Sequence, residues 1–270
     1  MGVELAVEGL TFGYGGTPVL REVTLPTVRS GTVTALLGPN ATGKSTLLRC
    51  IAGLHRADGT IRIDGDEAVA PSTNGRSLAG WLRRKRMAHN QIHYTPQETP
   101  PGSSITVFEA VLLARQGQMR GRPDAAALDR IGQVLTQLDL DDLSNRPISD
   151  LSGGQRQLVS LAQALIRQPS VLLLDEPTSN LDLRNQLQIL TLIRDLARTE
   201  PAAVIVTVHD LALAARFADQ VAVLNGGAVH SAGAPEDTIT EAMVREVYQV
   251  DATVHSLPDG TLNVAAKSSI

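Results

Sequence analysis

Residues 32–54 read TVTALLGPNATGKSTLLRCIAGL. A short buried strand, TVTALLG, leads into a loop of the form G-x-x-x-x-G-K-[ST], and the residues after it, KSTLLRCIAGL, carry helical periodicity. Strand, loop and helix in that order make a phosphate cradle. Backbone N–H groups of the loop point inward, and the helix start adds about half a positive charge. Lys44 is placed to reach terminal phosphates, and the Ser45 hydroxyl is placed to ligate magnesium.

A second stretch supplies what the first lacks. Residues 151–179 read LSGGQRQLVSLAQALIRQPSVLLLDEPTS. Within it, VLLL is a buried strand whose end delivers Asp175 and Glu176 beside the phosphate loop. Asp175 would hold the magnesium, directly or through water. Glu176, one residue further on, would polarise an attacking water. The same stretch opens on Ser152, Gly153, Gly154 and Gln155 at the mouth of an amphipathic helix, which is a second place to hold a phosphate. This second grip has a helix N-terminus, a serine and bare backbone, but no lysine and no carboxylate pair. It reads as half a site.

Around these motifs strands and helices alternate. QIHYTPQ, SVLLLDEP, AAVIVTVHD and DQVAVLNGG read as strands, and NQLQILTLIRDLAR and LALAARFA as helices, which implies a mainly parallel sheet with helices on both faces. Residues 106–168 are helical throughout, with apolar residues three and four apart, so they form an insertion into the α/β core. VELAVEGLTF and TIRIDG read as strands near the N-terminus, and the stretch from Asp66 to Asn90 reads as irregular. The tail holds a short helix around EAMVREVYQ and then a hairpin, VDATVHSLPDGTLNVAA, turning at Pro258, Asp259 and Gly260.

The bulk numbers narrow the classes. The 270 residues are 43% hydrophobic and 19% charged, with a net charge of −4, which argues against a general nucleic-acid binder. The single cysteine, Cys50, excludes an internal disulfide and a multi-cysteine metal site, and its apolar setting marks a buried structural thiol. His89 and His93 are four apart but lack a third ligand. No signal-like start and no apolar run of ~18–20 residues is visible, so a soluble chain is expected.

With GPNATGKST, LSGGQ and VLLLDEP together, the chain resembles the nucleotide-binding subunits of ABC transporters over nearly its whole length. The resemblance implies a P-loop (RecA-like) α/β core with an N-terminal antiparallel β region, an inserted helical subdomain and a C-terminal extension. The expected boundaries are 1–100 with 170–233 for the discontinuous core, 101–169 for the helical subdomain and 234–270 for the extension. It implies ATP and magnesium as the bound groups. Tyr14 in FGYGG matches the aromatic that stacks on adenine. Gly38, Asn40, Ala41, Thr42, Gly43, Lys44, Ser45 and Thr46 match the loop around the phosphates, and Ser45, Gln97 and Asp175 the magnesium contacts. Gln97 also matches the glutamine that senses the membrane subunits. Ser179, Asn180, Leu181 and Asp182 match a loop that crosses the dimer interface, and His209 in VTVHD matches a histidine on the γ-phosphate. The catalytic set is thus Glu176, His209 and Lys44.

The same resemblance answers why two grips are needed. In that family two copies sandwich two ATP molecules head to tail, so Ser152, Gly153, Gly154 and Gln155 complete the site of the second copy. A solitary cassette of this kind implies an importer on the cytoplasmic face of the membrane. Two such subunits would sit beneath polytopic permease subunits and be linked indirectly to a substrate-binding protein. The phrases TVFEAVLLAR, DEPTSNLDLRNQLQIL and VREVYQVDATVHSLPDG look like the iron-siderophore, haem and cobalamin group. Ferric siderophore ranks first as cargo, haem or cobalamin second, zinc or manganese third. A soluble ABC ATPase of the DNA-repair type is the alternative, and it would require a long coiled coil that the sequence does not contain.

Departures from the pattern are few. Ala41 stands where glycine is usual, and a positive φ there would cost on the order of 1 kcal/mol. Gln163 in LAQAL stands where many cassettes have arginine. The segment 66–90 is long and contains Trp81 and the run Arg83, Arg84, Lys85 and Arg86, either a solvated helix face or a patch near anionic headgroups.

Overall fold

The computed structural model describes residues 2–69, 91–97, 104–116, 124–179, 181–257 and 261–270. The run Arg83–Arg86, Trp81, His89, Asn180 and the turn Pro258–Gly260 lie outside the described residues. Two sheets form the core. The first is antiparallel and four-stranded, made of β1 (Glu4–Tyr14), β2 (Thr17–Arg29), β4 (Asp58–Ile63) and β5 (Asp66–Val69) in the order β2-β1-β4-β5. The second is six-stranded. It contains β3 (Val33–Leu37), β6 (Ile92–Thr95), β7 (Val171–Leu174), β8 (Ala203–Thr207), β9 (Gln220–Asn225) and β10 (Ala228–Gly233), ordered β10-β9-β3-β8-β7-β6. All its pairings are parallel except β9 with β10.

Every residue of β3, β7 and β8 is buried, which is why these strands read as continuous apolar runs rather than alternating ones. The alternation is instead between two cores. Leu36 faces the antiparallel sheet and helix α1 (Lys44–Ile51), packing with Leu47, Leu48 and Ile51. Val33, Ala35 and Leu37 face the opposite way, towards the larger helical side. That side holds α2 (Val107–Gln116), α3 (Ala125–Gln137), α4 (Gly153–Leu165), α5 (Leu183–Thr199) and α6 (Leu211–Phe217). None of the described helices is long and apolar enough to cross a membrane.

The helix starts follow the capping residues. Asp124, Ser152, Asp182 and Asp210 each accept a backbone N–H of their own first turn with the side chain. Helix α1 differs: its N-cap is Gly43, at φ 101°, with no side-chain cap. Its first N–H groups are therefore left for another acceptor.

Beyond β10 come α7 (Pro235–Thr238), α8 (Glu241–Tyr248), β11 (Val250–Ser256) and β12 (Leu262–Ser269), the last two pairing antiparallel. Met243, Val244, Val247, Ala252 and Leu262 join the same buried cluster as Phe217, Val221 and Val223. The tail is thus packed onto the sheet and α6 rather than hung from it.

The irregular reading from Asp66 onward needs correcting at its start, because Asp66–Val69 forms edge strand β5. The signal was Asp64-Gly65, both at positive φ (53° and 82°), a two-residue hairpin turn. Strand β10 arises the same way from Gly226-Gly227, at φ 56° and 83°.

Candidate nucleotide site

The phosphate loop lies between β3 and α1 at the carboxyl end of the parallel strands. Gly38 has φ 138°, and a Cβ there would stand within 2.2 Å of the Leu224 carbonyl oxygen, so no other residue fits. Gly43, at φ 101°, would push a Cβ to 2.9 Å from Leu20. Asn40 and Ala41 are exposed at the loop's crest, Thr42 bonds back to the Pro39 carbonyl at 2.9 Å, and Thr46 is buried behind. Ala41 holds φ 63°. The left-handed backbone that glycine would adopt freely is kept here by an alanine.

Lys44 is 6% exposed, and its Nζ donates to the carbonyls of Gly38 at 2.6 Å and Pro39 at 2.9 Å. Burial lowers its pKa, while the carboxylates of Glu176 and Asp175 act in the opposite sense. A buried ammonium beside uncapped helix N–H groups suits an anion with several oxygens.

Asp175, at the end of β7, is 2% exposed. Its Oδ1 accepts from Ser45 Oγ at 3.0 Å and from Thr207 Oγ1 at 3.0 Å, and its Oδ2 from the Tyr94 hydroxyl at 2.9 Å. A buried carboxylate touching a hydroxyl is a hard-oxygen donor pair, the chemistry magnesium takes alongside waters and phosphate oxygens. The residues present therefore fit that ion. Tyr94 also accepts from Arg49 Nε at 3.2 Å, and burial pushes its phenol up to about 12.

Glu176 follows at φ 48°, in the left-handed region, its N–H donating to Thr207 Oγ1 at 2.6 Å. Its carboxylate is held from both sides, with Gln97 Nε2 at 2.5 Å from Oε2 and His209 Nε2 at 2.6 Å from Oε1. The amide oxygen of Gln97 is the atom left to face a metal. His209 is not the cap of α6, since Asp210 takes that role.

Tyr14 ends β1. Its hydroxyl is 2.9 Å from His55 Nε2, and its ring meets Phe12 edge-on at 4.9 Å. Phe12 and His55 are stacked at 5.0 Å, forming an aromatic wall. At 46% exposure Tyr14 keeps ring surface free for a planar base.

The signature residues lie apart from all this. Ser152 N donates to Gln155 Oε1 at 2.9 Å, and Gln155 N to Ser152 Oγ at 3.3 Å, a reciprocal capping box. Ser152 and Gly153 are exposed, and a Cβ on Gly153 would meet nothing. Among the described contacts, none joins this helix start to the phosphate loop. A groove of about 630 Å³ runs beside it, lined by Ser152, Gly154, Gln155, Asn185 and Gln188. Behind it, Gln163 Nε2 donates to the Ala110 carbonyl at 3.2 Å, tying α4 to α2.

Comparison with known proteins decides the family. The profile described as "ABC transporter" matches residues 20–179, more than half the chain. The chain is an ABC transporter ATPase. The cassette is 37% identical over 257 residues to the hemin import ATP-binding protein HmuV of Streptomyces coelicolor, covering 94% of this chain and 86% of that one. It is 35% identical over 281 residues to the cobalamin import ATP-binding protein BtuD of Halobacterium salinarum, covering 98% of this chain and 66% of that longer protein. A solved ABC transporter described as of the metal-chelate type, in an inward-facing conformation, matches with a TM-score of 0.79 and 26% identity, over 98% of this chain and 97% of that one. As an ABC ATPase, the cassette couples ATP hydrolysis to transport.

Tyr94 and Thr207, which hold the acid pair, were absent from the residues expected of the site. Tyr94 was legible only as a neighbour of Gln97, and Thr207 only as a neighbour of His209.

Proposed function

We propose that this cassette energises an importer of a metal chelate, with haem, cobalamin and ferric siderophore as the candidate cargoes. Two copies would work head to tail beneath permease subunits. The observation that carries the reading is the split site. Lys44, Ser45, Asp175, Glu176 and His209 converge in one place, while Ser152 stands exposed elsewhere, its side chain and that of Gln155 each accepting the other's backbone N–H. The names of the relatives supply the cargo class.

In the proposed mechanism ATP lies along α1, its base on Tyr14 and its phosphates on the loop from Gly38 to Thr46. Lys44 turns from its two carbonyls to the terminal phosphates. Magnesium, when bound, neutralises charge on the phosphate oxygens, and Ser45, Asp175 and Gln97 would hold it. Glu176 orients a water for in-line attack and takes its proton, and His209, already at its carboxylate, fixes the γ-phosphate side. Ser152 and Gln155 of the second copy close over that phosphate.

Uptake of labelled haem, cobalamin and ferric siderophore in cells lacking this chain tests the proposal. One chelate should fail to accumulate, and the wild-type gene but not Lys44→Ala should restore it. Normal uptake of all three, or co-purification with nucleic acid instead of a polytopic membrane protein, would overturn it.

A further inference from the structure

Residues 247–251, VYQVD, close helix α8 and open β11, and nothing in the catalytic scheme uses them. They nevertheless reach the phosphate loop. The N–H of Gly38, the buried first residue of that loop, donates to the hydroxyl oxygen of Tyr248 at 2.9 Å, across 210 residues of chain. The backbone is closely packed at this point, since a Cβ on Gly38 would stand 2.2 Å from the Leu224 carbonyl oxygen. The carbonyl of Gly38 in turn accepts from Lys44 Nζ at 2.6 Å. One residue therefore links the C-terminal tyrosine to the lysine.

Tyr248 is itself well anchored. It is the last residue of α8, whose Met243, Val244 and Val247 are buried in the main core. Gln249 follows at φ 57° and turns the chain into β11, and Arg245 clamps that turn through Asp251 at 2.7 Å. Burial pushes the phenol up to about 12, so it stays a neutral hydroxyl at working pH. A helix fixed by its own core residues thus presents one acceptor to one buried amide.

We propose that Tyr248 is a positioning residue for the phosphate loop, and that the C-terminal extension braces Gly38, and with it the loop backbone that Gly38 opens, for the terminal phosphates. This rests on the reading of Gly38 to Thr46 as the nucleotide loop. Removing the hydroxyl leaves a buried N–H without its partner, and the loop must shift to satisfy it. The ring, and the packing it provides, survives in Tyr248→Phe.

The test is Tyr248→Phe in the full chain, with Lys44→Ala beside it. In the phenylalanine variant the KM for ATP should rise about five- to tenfold, the worth of one neutral hydrogen bond, with kcat within about twofold. Amide exchange at Gly38 should quicken by a similar or larger factor while the core helices keep their protection. If Tyr248 only fills space, both readouts stay at wild-type values in this variant, and the brace is disproved. A Gly38 amide that exchanges freely in the wild-type protein disproves it without any variant. Lys44→Ala separates the two layers. If that variant binds ATP like wild type, the loop reading is at fault. If it loses ATP while Tyr248→Phe does not, only the brace is.

Discussion

The hydroxyl of Thr207 donates to Oδ1 of Asp175 at 3.0 Å, and its oxygen accepts the N–H of Glu176 at 2.6 Å. Thr207 is completely buried on β8, so one side chain fixes both members of the acid pair on neighbouring β7. It also compensates the left-handed backbone of Glu176, a conformation costing of order 1–3 kcal/mol for a residue with a side chain. Thr207→Val keeps the shape and deletes the hydroxyl. We expect kcat to fall about ten- to a hundredfold, within the range for misplacing a catalytic group, while ATP binding changes little. Thr207→Ser should recover most of the rate in a steady-state assay.

The Glu176 carboxylate lies between Gln97 and His209, an arrangement that aims it while leaving little freedom to turn. Glu176→Gln preserves size but cannot take a proton. Single-turnover hydrolysis should slow by about two to four orders of magnitude, with ATP retention on a filter unchanged. Near-normal hydrolysis would remove Glu176 from the role of base.

Thr207 marks where sequence reading stops. The fold was legible because buried parallel strands write themselves as runs such as VLLL and AVIVT, and helices as apolar residues three and four apart. Motifs that are contiguous, like GPNATGKST, carry their own geometry. Thr207, Tyr94 and Tyr248 act through bonds to residues 32, 81 and 210 positions away, and no local period encodes which remote polar atoms will meet. Strand β10 escaped for a different reason: AVHSAG is weakly apolar, and only the Gly226-Gly227 turn before it announced a hairpin.

Ala41 at φ 63° is an alanine in glycine's conformation. Two terms oppose each other in Ala41→Gly. Relief of the left-handed strain is worth roughly 1–2 kcal/mol. The looser unfolded chain takes back about 0.4–1 kcal/mol. A net gain of about 0.8 kcal/mol remains, so calorimetry should show a melting point raised by roughly 2–3 °C. A variant melting several degrees lower would mean that the crest methyl makes a contact beyond its backbone.

Cys50 is buried on α1, and burial alone pushes its thiol up to about 12. The folded value lies above the ~8.5 of an unfolded cysteine, so the fold favours the protonated form. Its stabilising share is whole below about pH 8.5 and is lost as pH rises from there towards 12. At pH 8 a thiol reagent should leave the native protein unlabelled and react at once in denaturant. Rapid labelling of the native chain would show that α1 opens locally.

Ser152 does two jobs in the proposed closed pair, capping α4 within its own chain and facing the γ-phosphate of the second copy. Alanine would confound them, since losing the cap alone costs about 1 kcal/mol. Aspartate separates them. It caps a helix as well as serine does, yet it sets a negative charge where the partner's phosphate must arrive. Ser152→Asp should therefore melt like wild type and still bind ATP to its own loop. It should lose at least about a hundredfold in hydrolysis, the effect of like charges meeting in a closed site. In the Glu176→Gln background, where ATP should trap the pair, the added aspartate should return the protein to a monomer on gel filtration. If that double variant still pairs at wild-type ATP concentrations, Ser152 does not face the nucleotide, and the helix start it caps serves its own chain alone.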